Sequence, residues 1–114
     1  MNKKETSDIF QVGKRPTVED LEGEWQVKMW GKYWFMRWDR KVIKGSRGYN
    51  VFIWFKWGDF TVIQHEDTVS LNYDKGGVID YLKKHPDKDD VMVGEYHKYG
   101  ELDAVFTLTR ICAA

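Results

Sequence analysis

Cysteine occurs once in the chain, proline twice, and net charge is absent. The lone Cys112 has no partner for an internal disulfide, which excludes a disulfide-stapled scaffold. Eighteen Lys and Arg stand against eighteen Asp and Glu. That balance removes any global field that would draw nucleic acid, a membrane surface or an acidic partner. Long apolar runs are missing too: the longest, "VFIWF" at 51–55, is far short of a membrane span. The opening "MNKKETSDIF" lacks the apolar stretch of a signal peptide. The expectation is a soluble, cytoplasmic protein with no membrane partner. His65, His85 and His97 are scattered outside any metal-ligand spacing, and "DKDD" (87–90) is too short for a calcium loop. No glycine-rich phosphate loop or nucleophile elbow is present. Neither metal nor cofactor is expected.

Aromatic residues, by contrast, are abundant and concentrated. Of the eighteen Phe, Trp and Tyr, twelve lie between Trp25 and Phe60, interleaved with β-branched and charged residues. That is the pattern of pleated strands. At 114 residues the chain has material for one core. Residues 1–15 are polar and aperiodic and read as a flexible N-terminal arm; residues 16–114 read as a single domain. "PTVEDLEG" (16–23) carries the start and stop signals of a short helix, with Thr17 as cap and Gly23 at its end. Strand-like runs follow at 24–30, 33–44, 49–57, 60–66, 68–73, 91–99 and 102–111. "WGDF" (57–60) and "YGEL" (99–102) read as hairpin turns. "VIDYLKK" (78–84), between Gly76-Gly77 and Pro86, reads as a turn or two of helix in a long connection.

Alternation assigns the faces. Trp25, Val27 and Met29 are expected to point inward, as are Trp34, Met36, Trp38, Val51, Ile53, Phe55, Trp57, Leu102, Ala104, Phe106 and Leu108. Glu24, Gln26, Lys28, Arg37, Asp39, Lys41, Asn50, Phe52, Trp54 and Lys56 are expected to point outward. An antiparallel up-and-down meander with one apolar face removes its edges by closing into a β-barrel. Such a closure needs a plug where first and last strands meet. Trp25 supplies a large flat surface, Gly23 a sharp entry into the strand, and Arg110 a guanidinium that can lie across the indole and bond carbonyls.

Gly23-x-Trp25 on the first strand after a short helix, with Arg110 on the last strand, resembles the signature of the calycin superfamily, the lipocalins and fatty-acid-binding proteins. The resemblance covers roughly residues 16–112 in layout and three residues in motif. The chain departs from the family in being short, in lacking paired cysteines and in having no helical lid between its first two strands. The resemblance implies a lipocalin-like β-barrel that binds a small apolar ligand in its mouth.

Within such a barrel the candidate ligand-binding residues are Trp34, Met36, Trp38, Phe55, Trp57 and Phe106, with Arg40, Tyr73 and Tyr96 as polar anchors. A cavity built this way suits a small hydrophobic or aromatic, or acidic, molecule. Two other functions stay open. One is an enzyme of isomerase or decarboxylase type, with Tyr96, Arg40 or His97 polarising the ligand; no catalytic residue is assigned. The other is a module that uses the basic, aromatic stretch 28–47 to hold single-stranded nucleic acid or a protein. The neutral charge makes nucleic acid the less expected partner. Trp30, Phe35, Phe52 and Trp54 would form an outward apolar patch, to be covered by a homodimer or by the N-terminal arm.

Overall fold

The computed structural model describes residues 2–31, 33–35 and 39–112, with Cys112 described by its backbone alone. The described residues form one helix, α1 (Lys3–Gln11), a 3-10 turn (Glu19–Leu21) and eight strands. These are β1 (Gly23–Trp30), β2 (Asp39–Lys44), β3 (Arg47–Phe52), β4 (Phe55–Gln64), β5 (Val69–Tyr73), β6 (Val78–Lys84), β7 (Val91–Lys98) and β8 (Glu101–Cys112). Each strand pairs antiparallel with the next, and β8 pairs with β1, so the sheet closes into a barrel in chain order. The mainly β, up-and-down barrel expected from the sequence is the observed fold.

The meander gives the barrel two ends. One holds the chain entry into β1 and the last residues of β8; the other holds the β1–β2, β3–β4, β5–β6 and β7–β8 connections. At the first end the interior is filled by Leu21, Trp25, Ile43, Val69, Leu82 and Leu108, all fully buried. On β1 the inward set Trp25, Val27 and Met29 is as the alternation requires, and so is Ala104, Phe106 and Leu108 on β8. Leu102 is exposed, because it lies beyond the rim next to the β7–β8 turn. Tyr99 and Gly100, at φ 52° and 83°, give that turn the left-handed pair a two-residue hairpin favours.

Other expectations are corrected. "WGDF" is no turn: it lies inside β4, where Gly58 (φ 65°) sits at a register shift against β3. The glycine there serves a β-bulge. The true β3–β4 hairpin comes earlier, with Phe52 opposite Phe55 across Ile53-Trp54. Ile53 is therefore exposed at a turn with φ 59°, a strained conformation for a β-branched residue. "VIDYLKK" is strand β6, not helix; its inward positions include the polar Asp80, which disguised the alternation. The stretch 33–44 is not one strand, since the chain turns at residues 33–35, ahead of β2.

The segment read as an arm contains α1, capped by the Asn2 side chain accepting from the Glu5 N–H. The helix packs against β7 and β8, where Thr6 and Phe10 are buried. Val93 and Val105, which face outward from the barrel, are nonetheless fully buried. Beyond the helix, Lys14 exchanges backbone hydrogen bonds with Lys84 of β6. Among the described residues, no helix is long and apolar enough to cross a membrane.

Candidate ligand cavity

At the entry end the signature residues meet. The Trp25 indole is fully buried and its Nε1–H donates to the Leu21 carbonyl at 2.8 Å. The Arg110 guanidinium lies over the indole, 4.2 Å from its centroid, opposite Trp25 in the β1–β8 register. It donates to the carbonyls of Glu22 at 2.6 Å and Asp20 at 2.7 Å. Those carbonyls end the 3-10 turn and would otherwise lack partners. Gly23 (φ 122°) makes the bend that brings them there. This end is a plug.

The loop end is different. A cavity of about 150 Å³ opens there, with Val27, Met29 and Phe106 as its apolar floor. Tyr33, Trp57, Tyr73 and Tyr96 form aromatic walls, and Asp39, Lys41, Asn50 and Asp80 supply the polar groups. Four expected site residues, Trp57, Tyr73, Tyr96 and Phe106, are therefore brought together. Trp34 and Phe55 are not: they are 63% and 59% exposed at the rim. Met36 and Trp38 lie outside the described residues.

Arg40 does not point inward. It is half-exposed on the outer face, with its guanidinium 3.9 Å from Glu24. Its neighbours Asp39 and Lys41, expected outside, are buried instead. Alternation counted through Trp34 does not survive the turn at 33–35, and a slip of one residue exchanges the faces. Asn50, also expected outside, is buried for the same kind of reason: the hairpin at 53–54 and the bulge at Gly58 interrupt the count.

The buried polar groups form one network. The Lys41 ammonium donates to Asn50 Oδ1 at 2.8 Å and to the Tyr73 hydroxyl at 2.6 Å, and it lies 3.1 Å from Asp80 Oδ2. Its three N–H bonds are thereby used. Tyr73 accepts a second bond from Asn50 Nδ2 at 2.9 Å and donates to Asp80 Oδ2 at 3.1 Å. Asn50 Nδ2 also reaches the Gly58 carbonyl at 3.3 Å. A side chain at Gly58 would collide with Asn50 and the Tyr73 ring, so the bulge glycine is what lets this network close. Phe60, Tyr73 and Phe106 surround the ammonium at 5.3–5.8 Å from their centroids.

Burial opposes the charge of Lys41, but the neighbouring Tyr73 and Asp80 outweigh it and hold the ammonium above the usual lysine range. Tyr73 is pushed up, first by burial and then by the Asp80 carboxylate. Lys41 is thus a cation and Tyr73 a neutral phenol. Asp39 is raised by burial, with Lys41 acting against the rise.

Two buried side-chain atoms have no hydrogen-bond partner among the described residues: Asp39 Oδ1 and Asp80 Oδ1. Both residues line the cavity. No three His, Cys, Asp or Glu side chains converge anywhere among the described residues.

Fold and site together define a closed eight-stranded antiparallel barrel with a plugged end and an aromatic, charge-bearing cavity at the other. Comparison with protein-family models gives no match, and comparison with curated proteins gives none either. One solved structure, a protein from Thermomonospora curvata, is similar with a TM-score of 0.69 over 97% of this chain and 88% of that one. Its sequence is 18% identical, and the likeness is one of fold.

Proposed function

We propose that this is a lipocalin-like barrel that binds a small hydrophobic, aromatic molecule in the cavity at its loop end without transforming it. The observation that carries this reading is the cavity itself, about 150 Å³ lined by Trp57, Tyr73, Tyr96 and Phe106. That volume suits one aromatic ring. The Gly23, Trp25 and Arg110 geometry supports the calycin-like part of the reading. Binding is favoured over turnover because Lys41, Tyr73 and Asn50 spend their hydrogen bonds on one another.

Burying on the order of 150 Å² of ring surface at about 25 cal/mol per Å² gives about 4 kcal/mol, a dissociation constant near 1 mM. Calorimetric titration with 4-methylphenol tests this. One saturable site, lost when Val27→Phe fills the cavity floor, is the expected result. No binding by any single-ring aromatic at millimolar concentration would count against the function.

A second use of the same end is favoured by its exposed aromatics, Trp54 at 76% exposure together with Phe35 and Phe52. Paired copies would shield them, and sedimentation at increasing concentration tests that homodimer. Trp30 belongs less to this patch, being half-buried, with its indole N–H on Thr107 and the Lys28 ammonium over its ring.

A further inference from the structure

The unpaired oxygens of Asp39 and Asp80 say what kind of polar group the cavity accepts. A buried acceptor without a donor is costly, and more so when it carries charge. Asp39 and Asp80 are 4% and 1% exposed, so bulk water does not reach them freely. Each leaves Oδ1 without a hydrogen-bond partner among the described residues, and both residues line one cavity. The only buried cation among the described lining residues, Lys41, already donates in three directions. It has no N–H left to offer a ligand carboxylate or phenolate. Among its charged groups the cavity therefore has unpaired acceptors and no vacant cationic donor.

Charge points the same way. With both carboxylates ionised, two negative groups and one ammonium leave the interior with one uncompensated negative charge. The outward Arg40 is engaged near Glu24 rather than facing the cavity. Aromatic faces add to the preference, because the walls formed by Trp57, Tyr73 and Tyr96 attract a cation electrostatically.

We infer that the cavity takes a single-ring aromatic ligand bearing a cationic, hydrogen-bond-donating head, such as an arylalkyl ammonium, with that head between Asp39 and Asp80. The ring lies on Val27, Met29 and Phe106, and the head donates to the two unpaired Oδ1 atoms. This rests on the proposed ligand-binding function and narrows it, replacing the acidic ligand that an inward Arg40 would have favoured.

The test is a calorimetric series with three ligands of nearly one shape: benzylamine, benzyl alcohol and benzoate. A charge-assisted hydrogen bond corresponds to roughly ten- to a hundredfold in affinity. Benzylamine is expected to bind at least about tenfold more tightly than benzyl alcohol, with benzoate weakest. In Asp39→Asn, checked for an intact thermal transition, the amine should fall about tenfold and the alcohol by much less. Benzoate binding as tightly as benzylamine overturns the inference while leaving the cavity a ligand site. An amine that binds Asp39→Asn as well as wild type overturns it equally. Absence of binding by all three overturns both the inference and the function it rests on. The wild-type series does not depend on any variant folding.

Discussion

The two ends of the barrel handle buried polarity in opposite ways. At the entry end Trp25 and Arg110 meet the carbonyls of Asp20, Leu21 and Glu22, and the charge of Arg110 is spread over an indole face and two backbone acceptors. At the loop end a buried lysine is equally well satisfied, yet two carboxylate oxygens beside it are left without partners among the described residues. The same closed sheet thus holds one region built for stability and one that keeps unmet hydrogen-bonding capacity. Local deficits of this kind persist because the rest of the fold outweighs their cost, and they concentrate where a ligand can make up the difference.

If that contrast is right, the largest loss should follow from opening the plug. Trp25→Ala is expected to lower stability by about 3–5 kcal/mol, the range for truncating a large buried aromatic, as read from denaturant midpoints. A midpoint unchanged by that substitution would break the comparison at its stable end. A loss of about 3–5 kcal/mol is also expected for Lys41→Met, which strands the Asp80 carboxylate without its cation. Adding Asp80→Asn should recover most of the loss, since removing both charges of a buried pair is far milder than removing one. A double variant no better than the single would mean that the network, and not the charge, is what matters.

Arg110→Met should cost about 2 kcal/mol, from the lost stacking and the two carbonyl bonds. Asp39→Asn should do the reverse and stabilise the ligand-free protein, by an amount that depends on pH. Asp39 has a raised pKa in the folded state. The folded protein therefore binds its proton more tightly than the unfolded chain does. Wild-type stability is fully present below the ordinary aspartate range and falls as pH rises through the raised value. The advantage of Asp39→Asn should grow across that window, measured as the difference in thermal midpoint between acid and neutral buffer. A variant less stable than wild type at neutral pH would contradict the idea of an unmet carboxylate. The smallest effect belongs to the rim: Trp54→Ser should change stability by no more than about 0.5 kcal/mol, because the side chain is exposed.

The same division decided how much could be read from the sequence. The plug was legible because Gly23, Trp25 and Arg110 obey local rules, a positive-φ glycine and aligned alternation on β1 and β8. Trp57, Tyr73, Tyr96 and Phe106 were legible as aromatics on inward or inward-capable positions, and they do line the cavity. Lys41, Asp80 and Asn50 were missed because charged and amide side chains default to the solvent face. Their burial is a tertiary decision, made by partners on β2, β3, β5 and β6 that are distant in sequence. Counting β2 backward from the inward Ile43 would have placed Lys41 and Asp39 inside; counting forward from Trp34 crossed a turn and inverted them. In β6 the polar Asp80 at an inward position erased the strand pattern. In β4 the Gly58 signal was real, but it marked a bulge that makes room for Asn50 and Tyr73.

The most direct measurement follows the indole N–H resonances of the six tryptophans during titration with benzylamine. Trp57 lines the cavity and Trp25 sits in the plug. The account predicts a saturable shift of the Trp57 indole signal with the Trp25 signal unmoved. A Trp25 shift equal to that of Trp57, or no shift of either at saturating ligand, would contradict it.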